Sequence, residues 1–195
     1  MAELKFIFTG TPGAGKTTAI SSLSDYPPVS TDMMTTDELH DIKAETTVAM
    51  DFGEFTLENG EKVFLYGTPG QERFRYMWEI LVKGGLGLIV LIDNTRPDPR
   101  SDLKMYLENF REFIEQTGAV IAITRTDLSS EPSIEEYQET LSEMNFVLPI
   151  MQADPRHKDD VLMLLDMLMS VVELNQPTIN IGDDNNEYHD ALLSF

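Results

Sequence analysis

The residues with the clearest chemistry form a glycine-rich loop near the start of the chain. Residues 10–17 fit the pattern G-x-x-x-x-G-K-[ST] of a phosphate-binding loop. The glycines let backbone N–H groups turn inward around an anion. Lys16 supplies a positive charge for the β- and γ-phosphates, and the Thr17 hydroxyl is suited to Mg²⁺. We therefore expect a nucleotide site made by Gly10, Thr11, Pro12, Gly13, Ala14, Gly15, Lys16, Thr17 and Thr18.

Alternating strand-like and helix-like segments position this loop. A strand at 4–9 leads into it and a helix at 15–24 leaves it, which is the context the motif requires. Residues 25–46 predict a long functional loop, and Asn59-Gly60 predicts a hairpin between 47–57 and 61–66. The alternation predicts a three-layer α/β/α P-loop fold, with a mostly parallel sheet and one antiparallel hairpin strand. Further helices are predicted at 74–83, 101–117 (capped by Ser101), 133–144 (capped by Ser133) and 157–174, and further strands at 86–92, 119–123 and 146–151.

Composition narrows the kind of protein. The chain has 195 residues, no cysteine and a formal net charge of −20. Such a charge repels nucleic acid and anionic membranes, so neither is an expected direct partner. No apolar run reaches the ~20 residues of a membrane helix, and the sequence leads us to expect neither a signal peptide nor a lipid anchor. We therefore expect a cytoplasmic protein with one domain over residues 1–174 and an acidic tail over 175–195, either disordered or docking to a partner.

A second glycine-containing loop follows the first by about 55 residues. Residues 66–74 read Tyr-Gly-Thr-Pro-Gly-Gln-Glu-Arg-Phe and come directly after a predicted strand. Together with the phosphate loop, this stretch resembles the Ras-like small GTPases, in which the second loop reads Asp-Thr-Ala-Gly-Gln-Glu. Among these it is most similar to the bacterial branch of Mgl-type gliding-motility GTPases, where Pro-Gly-Gln is typical. The resemblance covers residues 4–174 and implies a small-GTPase domain that binds GTP or GDP with Mg²⁺.

The resemblance implies roles for residues of the two switch loops. Gly70 would present its N–H to the γ-phosphate, and Gln71 would orient the attacking water, with Lys16 and Thr47 completing the catalytic set. Thr47, favoured over Thr46 by its spacing to Asp51, would close over Mg²⁺ beside Thr17. For base recognition the resemblance implies Thr124, Arg125 and Asp127, followed by Ala153, whose N–H would meet the guanine O6, and Asp154.

Three positions depart from the family pattern. Gly67 stands where an acid usually holds a Mg²⁺-bound water, and we name Asp51 and Asp93 as candidates to compensate. Thr124 replaces the usual asparagine and offers only part of its hydrogen bonding. Pro12 lies beside the expected γ-phosphate and has no N–H to donate.

These residues favour a GTP-binding switch with low intrinsic hydrolysis. A catalytic arginine accelerates such reactions by about 10³–10⁵, and residues 1–72 contain none. A partner is therefore expected to stimulate hydrolysis, and the resemblance implies protein regulators or effectors of the roadblock type, in a bacterial cell-surface or polarity process. A P-loop ATPase or kinase, and a nucleotide-binding scaffold without efficient hydrolysis, remain the alternatives.

Overall fold

The structure, a computed structural model, describes residues 4–33 and 48–175. Over these ranges it contains a seven-stranded sheet with the order β2-β3-β4-β1-β5-β6-β7. β3 runs antiparallel to β2 and β4, and the other neighbours are parallel. The strands are β1 (Leu4–Gly10), β2 (Val29–Met33), β3 (Val48–Thr56), β4 (Lys62–Gly67), β5 (Gly87–Asp93), β6 (Ala119–Thr124) and β7 (Ile150–Gln152), and the helices are α1 (Lys16–Leu23), α2 (Arg75–Leu81), α3 (Pro99–Asn109), α4 (Arg111–Gln116), α5 (Ile134–Glu143) and α6 (Lys158–Asn175).

Helices cover both faces of the sheet. In β1, Phe6 and Phe8 face α1 and α6, while Ile7 faces the layer of α2 to α5. This alternation follows from the two-residue repeat of a strand, and burial on both faces explains the continuous apolar run of β5. The predicted three-layer fold with one antiparallel strand is confirmed. In the described ranges, no helix combines the length and apolarity that crossing a bilayer requires.

The topology brings the predicted site to one edge of the sheet. β1, β5, β6 and β7 are parallel neighbours, so their carboxyl ends meet. The phosphate loop follows β1, and the predicted base loops follow β6 and β7. Ligands in open α/β sheets bind at this carboxyl edge.

Three sequence-based boundaries are corrected by the structure. The segment expected to be a long loop from residue 25 contains β2, which pairs with β3 at the sheet edge. The third helix begins at Pro99 rather than after Ser101, because the Asp98 side chain accepts from the Ser101 N–H and proline fits the first helical position. It also ends at Asn109, with α4 following as a separate helix.

Two further boundaries shift. The helix expected at 74–83 opens with a 3₁₀ turn at Glu72–Phe74, and the strand expected at 146–151 is confined to Ile150–Gln152. The Ser133 cap lies as predicted and forms a reciprocal pair of hydrogen bonds with Glu136. Thr46, Thr47 and the tail from residue 176 lie outside the described residues, so the roles expected of them stay predictions.

Candidate nucleotide-binding site

The phosphate loop owes its shape to glycines in a conformation that other residues avoid. Gly10, Gly13 and Gly15 have φ angles of 138°, 81° and 102°. A β-carbon at Gly10 would lie 2.1 Å from the Leu91 carbonyl oxygen, and one at Gly15 would lie 2.5 Å from Pro155 Cγ. The loop is therefore held tightly between β5 and the loop after β7.

Lys16 is buried within this loop and is 7% exposed. Its amine donates to the carbonyls of Gly10 at 2.8 Å and Thr11 at 3.0 Å. Burial lowers the pKa of Lys16 to about 8, and the nearby charge of Asp51 partly opposes this shift. The buried hydroxyl of Thr11 has no hydrogen-bond partner among the described residues. A phosphate-binding role fits a site with a buried cation beside an unpaired hydroxyl.

A carboxylate from β3 lies where the predicted metal site lacks its usual acid. Asp51 pairs with Gly67 across β3 and β4. A β-carbon on Gly67 would lie 2.9 Å from Asp51 Cβ, so Asp51 fills the space that Gly67 leaves open. The Thr17 hydroxyl donates to Asp51 Oδ2 at 2.5 Å. Asp93, the other candidate, instead accepts from Arg125 and Thr95 at the opposite side of the loop.

These groups suit Mg²⁺ bound with a nucleotide. Mg²⁺ usually takes one or two protein ligands and fills its other positions with waters and phosphates. Thr17 and Asp51 supply a hydroxyl and a carboxylate beside Lys16. The described residues contain no group of three or more His, Cys, Asp and Glu that would hold a metal without a nucleotide.

The second glycine loop lies directly on the phosphate loop. The Thr68 N–H donates to the Phe8 carbonyl, and the Thr68 and Thr9 hydroxyls share a buried hydrogen bond of 2.8 Å. A β-carbon on Gly70 would lie 2.6 Å from Pro12 N and 2.8 Å from Lys16 Nζ. Gln71 is exposed at the edge of this contact.

A cavity of about 680 Å³ opens on the other side of the phosphate loop. Thr124 is among the residues that line it, and its buried hydroxyl donates to the carbonyls of Ala14 at 3.1 Å and Ile92 at 3.3 Å. Thr124 therefore joins the phosphate loop to β5 and β6, a role that its position before Asp127 had not revealed. The cavity is lined by Gly13, Ala14, Gly15, Thr18, Thr124, Arg125, Thr126, Asp127, Leu128, Gln152, Ala153, Asp154, Pro155, Arg156 and Asp160.

Charged side chains define the rim of this cavity. Arg125 has a φ of 59° and donates from Nη1 to Asp93 Oδ2 at 2.8 Å, which fixes its aliphatic stem at the rim. Asp127 is exposed, with Oδ2 4.0 Å from Arg156 Nη2. Arg156 also binds both carboxylate oxygens of Asp154, and these hydrogen bonds hold the pKa of Asp154 well below its usual value.

The expected contact from Ala153 to the guanine O6 stays a prediction, and the structure gives the Ala153 N–H another acceptor. The Ala153 N–H donates to the Ile123 carbonyl at 3.0 Å, as part of the pairing between β6 and the chain after β7. The next N–H, of Asp154, donates to Asp160 Oδ2 at 2.8 Å. Arg156, which the sequence-based site omitted, instead brings a donor to this rim.

Fold and site together define a nucleotide-binding P-loop protein. The chain belongs to the family described as conserved hypothetical ATP binding proteins, whose family model matches residues 8–194.

Individual relatives are distant. An uncharacterized protein of Methanocaldococcus jannaschii is 28% identical over 173 residues, covering 86% of this chain and 96% of the relative. The Ras-related protein RABA6b of Arabidopsis thaliana is 25% identical, and the match covers 78% of this chain and 71% of the relative. The Ras-related protein RabC of Dictyostelium discoideum is 23% identical, and the match covers 92% of this chain and 89% of the relative. These similarities support a Ras-like protein, whereas the bacterial Mgl-type branch stays a prediction.

A solved structure shows the same fold. A bacterial selenocysteine-specific elongation factor superposes with a TM-score of 0.59 at 18% identity over 89% of this chain. The matched region is 29% of the elongation factor's chain, so the comparison concerns one part of a much larger protein.

Proposed function

We propose that this protein is a GTP-binding molecular switch that hydrolyses GTP slowly and is stimulated by a protein partner. The observation that carries the proposal is the contact of Gly70 with the phosphate loop beside Lys16. A third phosphate at Lys16 would compete with Gly70 for space, so the second loop would differ between the diphosphate and triphosphate states. A partner that binds one of the two arrangements would respond to the nucleotide.

Each residue of the site has a definite part in this proposal. The Lys16 amine would exchange the carbonyls of Gly10 and Thr11 for phosphate oxygens. Thr17 and Asp51 would hold Mg²⁺, which supplies positive charge to the phosphates when bound. Gln71, exposed beside Gly70, would orient the attacking water.

The arginines near the second loop support slow intrinsic hydrolysis. Arg73 lies over the Phe74 ring at 4.7 Å, and Arg75 pairs with Glu72 at 2.9 Å. Both are therefore engaged on the 3₁₀ turn and the start of α2. We propose that a protein regulator or effector, of the roadblock type implied by the resemblance, supplies charge or reorders Gln71 in a bacterial cell-surface or polarity process.

A second candidate, an ATP-binding protein, is favoured by two observations. The family description names ATP, and the N–H of Ala153 is already bonded to Ile123. Guanine remains our choice because Asp127 offers a carboxylate to two adjacent donors, the guanine N1–H and exocyclic amine.

The affinity of the protein for GDP, GTP, ADP and ATP, each measured with and without Mg²⁺, separates the two candidates. We expect the guanine nucleotides to bind more tightly and Mg²⁺ to strengthen binding of the triphosphate. Tighter binding of ATP than of GTP would contradict the proposal and support the second candidate.

Hydrolysis is tested by single-turnover reactions of the protein alone. We expect a rate well below the ~1 s⁻¹ of ordinary ATPases. Gln71→Leu should lower it further, whereas Gln138→Leu, an exposed glutamine on α5, should leave it unchanged. Equal measurable rates for all three proteins would remove Gln71 from the mechanism, whereas no detectable hydrolysis by any of them would favour a scaffold.

A further inference from the structure

Two buried aromatic side chains bind the backbone of the second loop. Trp78 on α2 donates from Nε1 to the Pro69 carbonyl at 2.8 Å, and Tyr106 on α3 donates from its hydroxyl to the Gly70 carbonyl at 3.0 Å. Both are almost fully buried, and their ring centroids lie 5.2 Å apart. Burial raises the pKa of Tyr106, so its hydroxyl keeps the donated proton at every physiological pH.

The loop conformation that these donors hold is the one that blocks Lys16. The Gly70 α-carbon carries no side chain, yet a β-carbon there would lie within 3 Å of Pro12 N, Lys16 Nζ and the Gly10 carbonyl oxygen. The Lys16 amine meanwhile donates to the carbonyls of Gly10 and Thr11 in the phosphate loop itself. A phosphate that engages the outer side of the Lys16 amine therefore requires Gly70 to move.

The hydrogen bonds to Pro69 and Gly70 oppose this movement. Both carbonyls would lose a buried donor when the loop lifts, and an unmade buried hydrogen bond is costly. A diphosphate reaches only part of Lys16, whereas a triphosphate must displace the loop. The apparent affinity for the triphosphate is therefore reduced in proportion to the fraction of molecules that are open.

We propose that Tyr106 and Trp78 are positioning residues that hold the second loop closed over Lys16 and thereby set the discrimination between nucleoside diphosphate and triphosphate. The inference rests on the proposed function for its consequence, although the closed loop itself does not depend on which base binds. Tyr106 and Trp78 act through Pro69 and Gly70, and neither residue lines the cavity beside the phosphate loop.

The chain contains a built-in reporter and a matched control. Trp78 is the single tryptophan, so its fluorescence reports on the side chain that binds Pro69. Tyr137 has the same chemistry as Tyr106 without the loop contact: its hydroxyl is buried and donates to Asn94 Oδ1 at 2.6 Å. Tyr106→Phe and Tyr137→Phe therefore each remove one buried hydroxyl and keep the ring.

In the nucleotide-free protein, Tyr106→Phe should shift the Trp78 emission to longer wavelength and increase its quenching by acrylamide, and Tyr137→Phe should do neither. With nucleotide, Tyr106→Phe should tighten binding of a non-hydrolysable GTP analogue by about two- to tenfold, the value of one hydrogen bond. GDP affinity should stay the same. Thermal unfolding of both variants measures any general loss of stability.

Unchanged Trp78 emission and quenching in Tyr106→Phe would overturn the proposal, as would the same change in Tyr137→Phe. An unchanged ratio of diphosphate to triphosphate affinity would also overturn it. If adenine nucleotides bind in place of guanine nucleotides, the proposed function fails, and the same ratio measured with ADP and an ATP analogue still tests the two positioning residues. If no nucleotide binds, the fluorescence of the free protein decides whether the closed loop depends on Tyr106.

Discussion

Replacing Lys16 by methionine removes a positive charge that the fold buries. The amine is buried in the phosphate loop and donates hydrogen bonds to the Gly10 and Thr11 carbonyls. Burial lowers its pKa from 10.5 to about 8, because the charged form loses its hydration. Methionine has a similar length and no charge, so Lys16→Met should stabilise the nucleotide-free protein while it removes the cation that binds the phosphates.

The size and the pH dependence of this effect follow from the two pKa values. A pKa difference of about 2.5 corresponds to about 3 kcal/mol of unfolding free energy. Below about pH 8, Lys16 is charged in both the folded and the unfolded chain, and the cost of burying the charge is fully present. Between about pH 8 and pH 10.5 the unfolded chain holds a proton that the folded chain has lost, so stability rises with pH. Above pH 10.5 the cost has disappeared.

Urea unfolding of the nucleotide-free proteins measures this difference. At about pH 7.5, Lys16→Met should unfold with a free energy about 3 kcal/mol above that of the unaltered protein, and the gap should shrink toward zero by about pH 10.5. Other groups that titrate in this range are shared and cancel in the difference. Lys158→Met, at the exposed start of α6, is the control and should show no such gap. A gap that is constant with pH, or a less stable Lys16→Met, would refute the assignment of a buried charge.

Two further predictions concern the metal site and the loop. Asp51→Asn should reduce the gain in nucleotide affinity that Mg²⁺ provides by about 10- to 100-fold, as measured by titration calorimetry. In EDTA, where no Mg²⁺ is bound, the variant should bind GDP no more weakly than the unaltered protein. If both proteins depend on Mg²⁺ to the same extent, Asp51 is not part of the metal site. Gly15→Ala should cost more stability than Gly13→Ala in urea unfolding, because both have positive φ angles but only the first would clash, with Pro155 Cγ at 2.5 Å. Gly13→Ala should cost only the backbone strain of about 1–2 kcal/mol, and equal costs for the two would mean that the packing against Pro155 does not constrain the loop.

The sequence predicted the fold and the phosphate loop because their signals are local. A continuous apolar run identifies β5 without knowledge of its neighbours, and Asn59-Gly60 identifies the turn between β3 and β4. Gly60 has a φ of 87°, which explains the need for glycine there. Such features depend on a few adjacent residues, so a single sequence carries them.

The features that the sequence left open depend on partners far along the chain. β2 is a five-residue edge strand with one neighbour, and its own residues show no clear periodicity. Whether Asp51 or Asp93 replaces the acid missing at Gly67 depends on the register of β3 against β4, which no local pattern sets. Tyr106 and Trp78 lie on predicted helices, and only the packed structure shows that their polar atoms reach the second loop.

The same dependence on distant contacts bears on the choice between guanine and adenine. Arg156 Nη2 lies 4.0 Å from Asp127 Oδ2, so the rim presents a donor beside an acceptor. Guanine offers the O6 acceptor beside two donors, the N1–H and the exocyclic amine, whereas adenine offers one donor beside one acceptor. Either base can satisfy one donor and one acceptor, and guanine alone adds a second hydrogen bond to the carboxylate.

One hydrogen bond to a charged group contributes about 1.5–3 kcal/mol, which corresponds to about 10- to 100-fold in affinity. A site with a free backbone N–H at Ala153 would add an O6 contact and discriminate further, but that N–H is bonded to Ile123. The guanine preference that we propose should therefore rest on Asp127 and be moderate in size. A moderate preference is compatible with the similarity to Ras-related proteins and with a family whose description names ATP binding. With such a preference, ATP would compete with GTP for the site whenever ATP is about 10- to 100-fold more abundant.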